Sequence, residues 1–79
     1  MITGAQVRGA RAMLGWSVRD LARRAIVSIA TVHLIEEATG LPSTIREQLD
    51  AVQATLQSAG IEFLGGDAPG VRLRPKKRK

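Results

Sequence analysis

A mainly α-helical domain of four helices closed by a C-terminal β-hairpin is the fold class that this sequence predicts, on three observations. Helix N-cap residues recur at Thr3, Ser17, Ser28 and Thr44, each ahead of a segment with apolar residues at helical spacing. Glycine or a short turn closes each of those segments. Beyond Gly60 the apolar period changes from helical to two, as in a strand pair.

The first helix is expected near 3–14. Thr3 and Gln6 have capping-box spacing, Ile2 is placed to staple onto Val7, and Gly15 supplies a C-terminal stop. The second is expected near 17–25, with Ser17 as N-cap, Asp20 three residues on, and Trp16 in the staple position for Leu21. Only Ile26 and Val27 precede the next N-cap, Ser28, so a tight turn joins the second helix to a third near 28–38, where Val27 faces Val32 as a staple. Gly40 and Pro42 make 39–43 a loop. Thr44 and Glu47 then repeat the box spacing for a fourth helix near 44–59, on which Ile45, Leu49, Val52 and Leu56 form one stripe. Ile61 and Phe63 alternate with Glu62, and Val71 and Leu73 with Arg72 and Arg74, which predicts strands at 61–64 and 71–74 around a glycine-bounded turn. A lone hairpin is marginal in water, so its apolar face must lie on the helices or its edge must pair with another chain.

Length and composition bound the function. The chain has 79 residues, 44% of them hydrophobic, which allows one modest core and no separate sensor or catalytic domain. The expected organisation is a helical domain at 1–60, a hairpin extension at 61–74 and a basic, disordered tail at 75–79. With no cysteine, neither disulfides nor thiolate metal sites supplement the core. No segment approaches the roughly 20 apolar residues that span a bilayer. Arg8 and Arg11 lie inside the first apolar stretch rather than ahead of it, unlike a signal peptide. A cytoplasmic protein with no membrane association is therefore expected. The formal charge of +5 points to a polyanionic partner, but Lys76, Lys77, Arg78 and Lys79 carry most of it; without those four the body is at +1.

A helix, a tight turn and a second helix, with one helix before and one after, is a supersecondary unit with few uses. The stretch from Trp16 to Glu36 resembles the Xre, or Cro/cI-type, helix-turn-helix family, whose fold is that of lambda repressor. The resemblance covers residues 3 to 59. Its most specific points are Leu21-Ala22 in the second helix, Val27-Ser28 at the turn, Thr31-Val32 in the third helix and Ile35-Glu36 at its end. It implies a structural ion pair between Arg11 and Glu36. The hairpin and tail resemble the short C-terminal extension of many small bacterial members. In that family the third helix enters the DNA major groove and the start of the second meets a phosphate. The resemblance thus implies a nucleoid-associated homodimer on double-stranded DNA. Ile29, Ala30, His33 and Leu34 would stand at the bases, Ser17, Val18 and Arg19 near the backbone, Ser28 and Thr31 would also belong to the DNA-binding surface, and Lys76, Lys77, Arg78 and Lys79 would lie on phosphates as a nonspecific tail.

The sequence departs from the family at three places. Ile, Ala and Leu offer only apolar contacts to thymine methyls, so His33 alone among the third-helix readers Ile29, Ala30, His33 and Leu34 can read a hydrogen-bond pattern. Glu37 to Pro42 lacks the basic or Asn residues that members often set against phosphate. Ile26 fills the turn position usually held by glycine, where a β-branched residue is disfavoured at positive φ. His33 has no clustered partner for metal or catalysis, and a DNA or protein contact is the better reading. Glu36 and Glu37 point about 100° apart on a helix and cannot form a carboxylate dyad. Trp16 reads as a core residue, while Arg23 and Arg24 suit phosphate contact or a solvated face equally. No nucleophile-base pair, phosphate loop, cofactor motif or metal spacing stands out, so an enzyme is not expected. Two functions remain. One is a sequence-specific, repressor-like transcriptional regulator; the alternative is an antiactivator or antitoxin-like interaction module that presents Ile29, Ala30 and Leu34 to another regulatory protein.

Overall fold

A computed structural model describes residues 2–37 and 45–74, in the order α1 (Gly4–Leu14), α2 (Val18–Ala25), α3 (Ile29–Glu37), α4 (Arg46–Ser58), β1 (Ile61–Leu64) and β2 (Gly70–Leu73). The chain is mainly helical, with one small two-stranded antiparallel sheet. Capping chemistry sets the first three helix starts. Thr3 Oγ1 accepts from the Gln6 N–H at 3.1 Å while Gln6 Oε1 accepts from the Thr3 N–H at 2.9 Å, a complete capping box. Ser17 and Asp20 form a second, with reciprocal bonds of 3.0 and 2.9 Å. At the third start, Ser28 Oγ accepts from the Thr31 N–H at 3.0 Å. Gly15 ends α1 in the left-handed region at φ 69°.

The fourth start differs from the sequence reading. Helix α4 begins at Arg46 behind Ile45, which makes no side-chain cap, and Thr44 lies outside the described residues. The C-terminal tail at 75–79, with Lys76, Lys77, Arg78 and Lys79, is outside them too, as are Ala38 and the loop at 39–43. Among the described residues, no helix is long and apolar enough to cross a membrane.

Each helix contributes its apolar stripe to one core. Val7 and Ala10 enter from α1, Leu21, Ala22 and Ala25 from α2, Val32 and Ile35 from α3, and Leu49, Val52 and Leu56 from α4, with Ile2 and Ile61 at the margins. Trp16, Val27, Ile45 and Phe63 pack partly buried around them, so all three expected staples end in this cluster.

The hairpin pairs Ile61 with Leu73, Glu62 with Arg72, Phe63 with Val71 and Leu64 with Gly70. Its second strand runs over 70–73, one residue earlier than the alternation predicts, because Gly70 is opposite Leu64 and extends the ladder into what reads as turn sequence. With a side-chain period of two, the register gathers Ile61, Phe63, Val71 and Leu73 on one face. Glu62 and Arg72 share the other face, 2.5 Å apart in an ion pair. Gly60 joins α4 to β1 at φ 106°, a conformation closed to side-chain-bearing residues, and its carbonyl accepts from the Arg74 N–H at 2.9 Å. The other end of the hairpin is gripped from α1: Gln6 Nε2 donates to the carbonyls of both Leu64 and Gly70, at 2.8 Å each.

Candidate functional site

Helix α3 has two unlike faces. Val32, Ile35 and Glu36 are buried, whereas Ile29, Ala30, His33 and Leu34 are exposed on the opposite side. The spacing of those four, at i, i+1, i+4 and i+5, makes them one row along the outer surface. The row is mostly apolar: Ile29 is 42% and Leu34 45% exposed. At its N-terminal end Ser28 is exposed and Thr31 half-buried, and their hydroxyls bond each other at 2.8 Å.

What holds α3 in place is α1. Gly4 lies so close to the last turn of α3 that a Cβ there would meet the carbonyl oxygens of Ile35 and Glu36, the latter at 2.7 Å. Arg8 Nη1 donates to the Glu36 carbonyl, which supplies a cation to a helix end that has no basic residue of its own. Arg11 grips the Glu36 carboxylate at two points, Nε to Oε2 at 2.8 Å and Nη2 to Oε1 at 3.0 Å, and its Nη1 donates to the Trp16 carbonyl at 3.1 Å. Glu36 is only 5% exposed, so this fork satisfies a charge that would otherwise be costly to bury. The hydrogen bonds with Glu36 raise the pKa of the Arg11 guanidinium against the opposing effect of burial.

Helix α2 meets α3 through a left-handed residue. Ile26 stands at φ 59°, ψ 50°, donates to the Arg23 carbonyl at 3.4 Å, and is 89% exposed. Val27 N–H then donates to the Ala22 carbonyl at 3.0 Å, completing the turn. A β-branched side chain thus occupies a strained backbone position without packing to offset it.

At the N-terminal end of α2, Ser17 and Arg19 are exposed and Val18 is half-buried against the core. Asp20 is drawn below the usual carboxylate pKa range, first by the Ser17 backbone and then by its hydroxyl, with Arg23 and Arg24 acting in the same direction. Two of the α2 arginines have partners: Arg23 pairs with Asp20 at 3.1 Å, and the Arg24 guanidinium lies 4.5 Å from the centre of the Trp16 ring. Arg19 has no ion-pair partner among the described residues.

The structure therefore gathers Ile29, Ala30, His33 and Leu34 into one exposed row, with Ser28 and Thr31 committed to each other at its start. Ser17 and Arg19 lie on the neighbouring helix. Gly4, Arg8 and Gln6, which position this assembly, carry no signal of that role in the sequence beyond the Gln6 cap, because their partners lie at least 28 residues away. Two surface clefts lie elsewhere: one of about 360 Å³ is lined by Trp16, Arg24, Thr55, Ser58 and Ala59, and one of about 210 Å³ lies between Ile2, Gln53 and Phe63. Among the described residues, no group of three His, Cys, Asp or Glu is placed to hold a metal ion. Compared with family models, with curated proteins and with solved structures, the chain matches none.

Proposed function

We propose that this protein is a sequence-specific, repressor-like DNA-binding regulator of lambda-repressor-like helix-turn-helix type, acting as a homodimer through its hairpin. The observation that carries the reading is the unit of α2, left-handed turn and α3. The inner face of α3 is fixed by Gly4, Arg8 and Arg11 of α1, while its outer row stands bare. A helix held this rigidly with one free face is what a major groove accepts. Exposed Arg19 and the positive N-terminal end of α2 suit a phosphate beside it. In a two-fold dimer, two α3 helices would address half-sites about 34–36 Å apart.

The outer row is also where an interaction module would bind another regulatory protein. Ile26, 89% exposed, together with Ile29 and Leu34, favours this second reading, since exposed apolar side chains can anchor a partner. One set of variants separates the two. On DNA, His33→Ala and Leu34→Ala relax sequence preference by about 1–3 kcal/mol per disturbed base contact, and removal of Lys76 to Lys79 weakens all duplexes together and flattens the salt slope. An interaction module instead loses nearly all DNA affinity with its tail, shows no preferred duplex, and loses a protein partner on Leu34→Ala.

A further inference from the structure

The outer row of α3 holds few groups able to read a hydrogen-bond pattern, and the two hydroxyls at its start are partly engaged with each other. Ser28 Oγ accepts from the Thr31 N–H at 3.0 Å and shares one hydrogen bond with the Thr31 hydroxyl at 2.8 Å, which ties part of the pair's hydrogen-bonding capacity to the helix start. Ile29, Ala30 and Leu34 carry no polar side-chain atom, and the polar side chains of this exposed face are His33 and, one turn further on at the end of the helix, Glu37. In the major groove, the feature that an apolar side chain can recognise is the C5-methyl group of a pyrimidine, which thymine carries and cytosine lacks. Charge agrees with a nucleic-acid occupant. Helix α2 beside the row holds Arg19, Arg23 and Arg24 against a single Asp20, and of the two glutamates that end α3, Glu36 is neutralised inside the fold by Arg11 while Glu37 is exposed.

Resting on the DNA-binding reading above, we propose that α3 discriminates duplexes chiefly by C5-methyl groups, through Ile29, Ala30 and Leu34, and that it accepts 5-methylcytosine where it accepts thymine. Hydrogen-bond readout is left to His33 and to the polar groups at the two ends of the row, Ser28 and Glu37. Half-sites are accordingly rich in thymine on the strand that faces the row, and C5 methylation of a cytosine at a contacted position raises affinity.

The test uses the full chain and duplexes that it selects from a randomised pool. Each is resynthesised with uracil for thymine, one position at a time, a change that deletes the methyl and keeps every hydrogen-bonding group. Loss of a contacted methyl weakens binding about fourfold, the effect of withdrawing one buried carbon from an apolar contact. Replacing a contacted thymine by cytosine and then by 5-methylcytosine recovers a similar factor at the second step. Leu34→Ala weakens binding to the thymine duplex and leaves binding to the uracil duplex at its contacted position unchanged, a coupling that a misfolded variant does not reproduce. Equal affinity for thymine and uracil duplexes at every position overturns the inference while the DNA-binding reading stands. Equal losses from Leu34→Ala on both duplexes overturn it too. Absence of any selected duplex overturns both.

Discussion

Ile26 shows how far one residue can stand from local preference. Left-handed backbone costs a non-glycine residue about 1–2 kcal/mol, and burial returns almost nothing to a side chain that is 89% exposed. Ile26→Gly is therefore expected to stabilise the fold by about 1 kcal/mol in urea unfolding, the relief of strain exceeding the added flexibility of the unfolded chain. A loss of stability instead shows that the isoleucine packs in a way its exposure denies. Asp20 gives a second residue-scale expectation. Its folded pKa lies below the usual range, so its contribution is present above the unfolded carboxylate value and disappears as pH falls through the folded value. Unfolding midpoints of the protein and of Asp20→Asn, followed from neutral to acid pH, should differ at neutral pH and converge at the acid end. A constant gap at every pH would detach the cap from the ionised carboxylate.

At the scale of elements, the helices were legible wherever a cap lies within a few residues of the chain it caps. Thr3 with Gln6 and Ser17 with Asp20 are local, and the structure forms both boxes. The alternation of Ile61 with Phe63 and of Val71 with Leu73 likewise gave the hairpin to within one residue. What was not legible is how elements dock. Nothing near Gln6 indicates that the amide end left over from its cap reaches Leu64 and Gly70, or that Arg8 closes α3, since those contacts join residues distant in the chain. The start of α4 falls within two residues of the expected one, at Arg46 behind Ile45, and Thr44 lies outside the described residues. The Gln6 bridge is testable on its own. Gln6→Ala removes a capping bond together with the tie to the hairpin, and should cost about 2 kcal/mol. Amide exchange should quicken in β1 and β2 more than in α2. Uniform acceleration across all elements would mean that Gln6 acts on global stability alone.

At the scale of the whole molecule, four helices and a hairpin share one core of twelve buried apolar residues, and no second core exists among the described residues to house another activity. The candidate site was legible as a set of positions, since Ile29, Ala30, His33 and Leu34 recur at the spacing of one helix face. Its chemistry was legible only in part. The sequence offers Ser28 as the cap of α3, and only the folded helix start shows its hydroxyl bonded to that of Thr31. A core this small leaves function to its surface, and the proposal assigns it to the outer row of α3. The most direct measurement is competition between a selected duplex and its scrambled counterpart for the chain truncated after Pro75, across a range of salt. Specific protein–DNA recognition typically exceeds nonspecific binding by about a thousandfold or more, and a preference that resides in α3 survives both added salt and loss of the tail. The account predicts a large, nearly salt-independent ratio between the two duplexes; a ratio of one, with affinity gone once Lys76 to Lys79 are removed, would contradict it.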